Sequence, residues 1–291
     1  MPGLKELVAE ELGAPVDRRV TAFARAIAAS RGDASRAVLF YGSCLRQDRL
    51  DGLMLDFYLI VSDYRAAYSK RWLSAANRLL PPNVFYFEQD GLAAKYAVLS
   101  EADFERECGP EARSTSVVAR FAQPSRLVWS ADEKARARVI DAVARCAPAL
   151  LSWTAPMMPK GTPALELWKR AFQLTFAAEL RAERADRSAA IVAADDKRYE
   201  RFGNAALAGI VQGNRRRRAR WWKRMQRKGK LLSVLRLAKA SATFAGGADY
   251  IAWKINRHAG TRIELKSWQR RWPLLAGLTL LPRLLRSGAV R

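Results

Sequence analysis

Residues 37–43 run Ala37-Val38-Leu39-Phe40-Tyr41-Gly42-Ser43, and after a short loop residues 54–61 run Met54-Leu55-Asp56-Phe57-Tyr58-Leu59-Ile60-Val61. Apolar runs of this length, bounded by turn residues, predict two buried strands, Ala37–Tyr41 and Leu53–Val61, joined through a Gly-Ser bend. In the second strand a period of two places Asp56, Tyr58 and Ile60 on one face and Leu55, Phe57, Leu59 and Val61 on the other. Glycine lets a backbone approach a triphosphate closely, and Ser43 offers a hydroxyl and an N–H to its oxygens. A carboxylate on the adjacent strand can hold Mg²⁺ bridging those oxygens. Taken alone, the same pattern is also that of an ordinary turn followed by a strand-start cap.

Outward from this pair, further strands are predicted around Val84–Glu88, Lys95–Leu99 and Arg126–Trp129. Two helices precede it, one marked by Leu4, Leu7, Val8 and Leu12 and the other by Val20, Phe23, Ala24 and Ile27. Arg31-Gly32-Asp33 breaks the chain before the first strand. A helix over Arg65–Leu80 is stopped by Pro81-Pro82. Ser100 with Asp103 has the form of a helix N-cap, and another helix is expected from Ala131 to Leu150. The fold class is therefore α+β, a mixed sheet with flanking helices over residues 1–150. Ser152–Pro163, with three prolines and one glycine, suggests a linker. A helical segment then extends to residue 212, and a basic, aromatic, helical region fills residues 213–291.

Composition sets outer limits. The 291 residues carry 51 Lys+Arg against 28 Asp+Glu, a formal net charge of +23. Such an excess favours a polyanionic partner, nucleic acid or an anionic membrane. The three cysteines, Cys44, Cys108 and Cys146, are widely and irregularly spaced, which fits a reducing compartment rather than a disulfide framework. His258 is the only histidine, which removes a His-based metal site and a Ser-His-Asp triad. No run of about 18 apolar residues is present, so a soluble or peripheral protein is expected. The longest stretch, Pro273–Leu281, is bracketed by Arg271 and Arg283.

The Gly-Ser bend and its following carboxylate resemble the polymerase-beta-type nucleotidyltransferase superfamily, although Met54 stands where a second alternating acid is usual. A narrower resemblance is to the mitochondrial translocator-maintenance family of phosphatidate cytidylyltransferases and its bacterial relatives. It is carried by Tyr41-Gly42-Ser43, the single-Asp strand Met54-Leu55-Asp56-Phe57, Ser69-Lys70, Val84–Phe87 and Lys95-Tyr96-Ala97-Val98-Leu99-Ser100. It continues through Ala119-Arg120-Phe121-Ala122-Gln123-Pro124, Glu179-Leu180-Arg181 and Thr243-Phe244-Ala245-Gly246. Gln123, Glu179 and Glu88 depart from the usual Lys, Asp and Asn of that family.

The resemblance implies transfer of CMP from CTP to phosphatidic acid with Mg²⁺, giving CDP-diacylglycerol and pyrophosphate. It also implies a winged-helix-like second domain over 151–212 and a cytoplasmic location on the inner face of a membrane. The residues it implicates are Asp56, Lys95 and Arg120 for catalysis, and Tyr41, Gly42, Ser43, Lys70, Arg181 and Lys239 for the nucleotide. Asp56 is the metal ligand, with Glu88 the candidate second carboxylate; Asp51 is a weaker one, better placed as a polar loop residue. Cys44 reads as a packing residue beside the bend. An acceptor phosphate is ionised near neutral pH, so alignment and charge neutralisation would supply most of the catalysis.

Residues 213–230 alternate ten cations, among them Arg215–Arg218, with Trp221, Trp222 and Met225. On a helix Trp221, Trp222, Met225 and Leu232 form one stripe, the pattern of an interfacial anchor on an anionic membrane surface. Trp268–Arg286 has a similar mixture of Trp, Leu and Arg. Two rivals remain from the sequence. Arg-rich segments with interleaved aromatics also suit RNA, making the chain a nucleotidyltransferase of RNA ends. Met54 leaves room for a degenerate domain serving as a membrane adaptor.

Overall fold

The computed structural model describes residues 3–46, 50, 53–179, 187–210, 213–243, 264, 266 and 267. Helices α1 (Leu4–Gly13) and α2 (Arg18–Ala29) lead into strands β1 (Ser35–Tyr41) and β2 (Met54–Val61). Two short helices, α3 (Tyr64–Ala67) and α4 (Arg71–Leu79), precede the hairpin β3 (Asn83–Gln89) and β4 (Leu92–Ser100). Then come α5 (Glu101–Glu107), α6 (Ser116–Phe121), β5 (Ser125–Ser130), α7 (Glu133–Ala144) and α8 (Cys146–Thr154). The described chain ends in helices α9 (Ala164–Phe176), α10 (Arg187–Ala193), α11 (Asp196–Leu207) and the long α12 (Arg215–Thr243).

The five strands lie in the order β3-β4-β2-β1-β5. β2 and β4 are parallel and the other neighbours antiparallel, so the sheet is mixed. Its two faces follow from the alternation of β2. Leu55, Phe57, Leu59 and Val61 pack with Val20, Phe23 and Ile27 of α2 and with Tyr64 and Ala67 of α3. Phe23 stacks on Phe57 at 5.8 Å and meets Phe87 edge-on at 5.1 Å, which holds α2 across three strands. The opposite face carries Leu39, Tyr58, Ile60, Ala97 and Leu99 into a larger core shared with α1 and with α5 to α12.

The five strands fall where the apolar runs predict them. The helices are more divided than the periodicity suggests. Residues 65–80 break at Tyr68, whose ring is buried near Phe85 and beneath Arg31, with extended backbone angles. Tertiary anchoring of one aromatic thus overrides local helical preference. Residues 131–150 break at Arg145 because Pro148 has no N–H to offer the carbonyl of Ala144. The expected cap holds: Ser100 Oγ accepts from Asp103 N at 3.2 Å.

Ser152–Pro163 is not a spacer. Trp153, Thr154 and Pro156 are buried, and one core runs from Leu7 through Leu150, Trp153 and Trp168 to Trp222. The prolines there begin local structure rather than loosen it: Pro156 opens a 3-10 turn and Pro163 precedes α9. Distant parts of the chain are also tied across this region. Buried Arg198 on α11 forms an ion pair with Glu11 on α1, donates to Ala122 O at 3.1 Å and lies over the Phe202 ring.

Helix α12 corrects the reading of the Trp-Trp-Met stripe as an open anchor. Trp222 and Met225 are buried, Trp222 Nε1 donates to Trp153 O at 2.9 Å, and Trp221 packs on Trp153 at 5.0 Å. Gly229 lies so close to α9's end that an added Cβ would overlap the Ala178 carbonyl. An apolar helical stripe satisfies a protein core as well as a lipid boundary, and here the protein takes it. The outward face instead carries Arg220, Lys223, Arg224, Arg227 and Lys228, then exposed Leu231, Val234 and Leu235. Among the described residues no helix is long and apolar enough to cross a membrane.

Candidate functional site

Strand register builds the site. Tyr86 of β3, Lys95 of β4, Asp56 of β2, Tyr41 of β1 and Ser125 of β5 are successive partners in one row across the sheet. Side chains level with one another on adjacent strands point to the same face, so this row lies on the side of the larger core. Tyr58, two residues beyond Asp56, and Phe121 of α6 pack against Tyr41 at 5.3 and 5.9 Å. These rings close the apolar side of the site and leave Asp56 at its edge, with 18% of its side chain accessible.

The Gly-Ser bend follows directly. Gly42 has φ +99°, a left-handed conformation that suits glycine. An ideal Cβ there would stand 3.0 Å from Asp56 Oδ2, so the bend and the carboxylate are in contact. Ser43 is exposed and opens a short 3-10 turn over Ser43–Arg46. Cys44 is buried with its Sγ 3.6 Å from Met54 O, a packing role that closes the loop onto β2.

Lys95 Nζ lies 3.0 Å from Asp56 Oδ1. That oxygen is buried and receives no well-aligned hydrogen bond, so the contact is an ion pair of charges rather than a directed bond. Arg120 sits below, donating to Ser116 O at 2.7 Å and to Ser116 Oγ, with Glu179 Oε1 at 3.4 Å. Burial disfavours its charge, but Glu179, Tyr58, Tyr41 and Asp56 outweigh that and hold the guanidinium firmly protonated. Burial pushes Tyr41 well above the usual tyrosine range, reinforced by Asp56 and opposed by Arg120, and burial also raises Tyr58. Both phenols stay neutral and serve as walls rather than bases.

The other sequence candidates separate by position. Lys239 reaches the same side of the molecule from α12, donating to Leu80 O and to Pro82 O at 2.8 Å. Burial, with Arg236 nearby, lowers it to about 7. Glu88 is on the site face but on edge strand β3, two strands from Asp56, exposed and hydrogen-bonded by the Tyr86 hydroxyl at 2.7 Å. Lys70 is exposed just before α4. Arg181, Asp51, His258 and Trp268–Arg286 lie outside the described residues. Sequence reasoning missed Arg236, which α12 places near Tyr58, Arg120 and Glu179. Its signal was available: it falls on the inward stripe marked by Trp222, Met225 and Gly229.

The donor set fits an ion that arrives with its substrate. Among the described residues no three His, Cys, Asp or Glu side chains gather to hold a metal. Mg²⁺ keeps several waters and is commonly held by one or two carboxylates together with substrate phosphates. Asp56 offers one such carboxylate, with its buried Oδ1 lacking an aligned donor.

No protein family and no curated protein matches this chain. Among solved structures, the chain is similar to a nucleotidyltransferase-like protein from Exiguobacterium sibiricum 255-15, with 92% of each chain covered, 10% identity and a TM-score of 0.30. A likeness that faint leaves the functional reading to rest on the residues themselves.

Proposed function

We propose that this protein is a nucleotidyltransferase that moves CMP from CTP onto phosphatidic acid at an anionic membrane surface. The observation that carries the reading is the contact of the left-handed Gly42 with Asp56, in register with Lys95 and beside Arg120. The bend would cradle the triphosphate, and Asp56 would share Mg²⁺ with it. When bound, that ion neutralises charge developing on the phosphates. Lys95 and Arg120 hold fixed positive charge where the transferred phosphoryl group would sit, so no reorganisation is required during the reaction.

One oxygen of the acceptor phosphate attacks the α-phosphorus of CTP. A new P–O bond forms as the bond to the β-phosphate breaks, and pyrophosphate departs. The acceptor oxygen is already ionised, so no side chain has to remove a proton. That suits a site whose two tyrosines are held neutral and which has no histidine among its described residues.

The membrane part of the reading now rests on the outer face of α12 rather than on its tryptophans. Arg220, Lys223, Arg224, Arg227 and Lys228 present charge, and Leu231, Val234 and Leu235 present exposed aliphatic surface on the same side. Each cation near an anionic leaflet is worth on the order of 1 kcal/mol before screening. The test supplies labelled CTP and Mg²⁺ to purified protein with either phosphatidate vesicles or an RNA pool. Label in CDP-diacylglycerol is expected. Label in RNA would transfer the reading to RNA ends, and label in neither would favour a membrane adaptor.

A further inference from the structure

Two cations from α12 take three consecutive carbonyls of the loop entering β3. Arg236 Nε donates to Pro81 O at 2.8 Å, and Lys239 donates to Leu80 O and Pro82 O. This clip fixes the helix beside the site face of the sheet. Arg236 comes within electrostatic reach of Tyr58, Arg120, Glu107 and Glu179. The carboxylates nearby already have partners. Glu179 pairs with Arg120 at 3.4 Å, while Glu107 accepts from Arg106 and from the backbone N–H groups of Arg113 and Ser114. The terminal amino groups of Arg236 make no hydrogen bond or ion pair among the described residues. A part-buried arginine whose fork is left open can receive an anion.

Its position relative to Asp56 gives the anion a role. Tyr41 is level with Asp56, and Gly42 and Ser43 continue past it toward the Met54 end of β2. Tyr58 lies two residues the other way. Arg236 holds Pro81, and Asn83 just beyond it pairs with Val98, which pairs with Leu59, so the bend and Arg236 stand toward opposite ends of β2 from Asp56. Displacement at phosphorus sets the attacking and leaving oxygens roughly in line on opposite sides of the reacting atom. If the bend holds the departing phosphates, the attacking group has to come from the side of Arg236.

We infer that Arg236, with Arg120, forms a second anion subsite that receives the phosphate monoester of the acceptor, opposite the Gly42-Ser43 bend. The inference rests on the transfer reaction proposed above and deepens it by naming the residue that positions the attacking group. Arg236 acts by holding that group in line, and the bond-making and bond-breaking steps are those already given.

Binding tests it without turnover. Dibutyryl phosphatidate, short enough to stay monomeric, and CTP with Mg²⁺ are titrated separately by calorimetry into full-length wild-type protein, Arg236→Gln and Arg236→Lys. Losing a charged hydrogen-bonding fork should weaken phosphatidate binding in Arg236→Gln by about tenfold or more, with CTP affinity unchanged. Arg236→Lys keeps the charge but not the fork, and should show a smaller loss confined to phosphatidate; it carries the test alone if the Gln variant does not fold. Parallel weakening of both ligands, unchanged phosphatidate affinity, or a wild-type protein that does not bind the short phosphatidate would overturn the subsite. A selective loss in these titrations, combined with no labelled lipid in the transfer assay, would uphold the subsite while defeating the reaction.

Discussion

At the residue scale the site comes down to the contact between Gly42 and Asp56. Asp56→Asn retains shape and removes the charge that faces Lys95 and would share the cation. Transfer activity should fall by at least a hundredfold, about 3 kcal/mol, while binding to anionic vesicles is retained. A variant with wild-type turnover would remove Asp56 from the mechanism. Gly42→Ala tests the bend. A non-glycine residue at such a φ costs about 1–3 kcal/mol, and its Cβ would press on Asp56 Oδ2. Both melting temperature and CTP affinity should drop; a fully active, equally stable variant would show that the close approach is dispensable. Of these two residues, the sequence exposes Asp56 and Gly42 by strand alternation and the Gly-Ser pair. It does not expose Lys95 as the partner of Asp56 without the family likeness, because cross-strand register is a property of the folded sheet.

At the element scale α12 decides how the carboxyl-terminal part is understood. The spacing of Trp221, Trp222, Met225 and Leu232 correctly marks a helix face, but periodicity cannot say what that face meets. Trp153, in a segment whose prolines suggest a linker, is the partner that settles it. The strands were legible because short apolar runs end at Gly, Ser and Pro; the breaks at Tyr68 and Arg145 were not, since one depends on a distant ring and the other on a proline three residues on. Gly229 tests the packing of α12. Within a helix Gly→Ala ordinarily gains up to about 1 kcal/mol. Here the added methyl overlaps the Ala178 carbonyl, and overpacking of this kind costs about 1–3 kcal/mol. The contact should win, so Gly229→Ala lowers the melting temperature. A stabilised variant would mean that α12 does not sit against α9.

At the scale of the whole molecule, one shared core and the Glu11–Arg198 pair bind the sheet to the helices that follow it. Lys239 links this assembly to pH. Its ordinary value is 10.5, and burial lowers it to about 7 in the folded protein. Between those values the unfolded chain carries a proton that the folded chain lacks, so this residue's contribution to stability rises with pH across that window and is level below it. Lys239→Met should flatten the rise in melting temperature from pH 7 to 10. Superimposable pH profiles for the two proteins would show that Lys239 titrates as an ordinary surface lysine.

The row from Tyr86 through Lys95, Asp56 and Tyr41 to Ser125 has a consequence for how such a site can change over generations. Its members come from five separate strands and meet only because the ladders are in phase at this level, the register shifts at Ser35/Ala37 and Val38/Leu39 lying farther along β1. Replacing one of them alters chemistry at a single point, whereas inserting or deleting one residue inside β1, β2 or β4 would turn that strand's contribution to the wrong side of the sheet. The arrangement therefore tolerates substitution and longer connections more readily than a one-residue change of length beside that row.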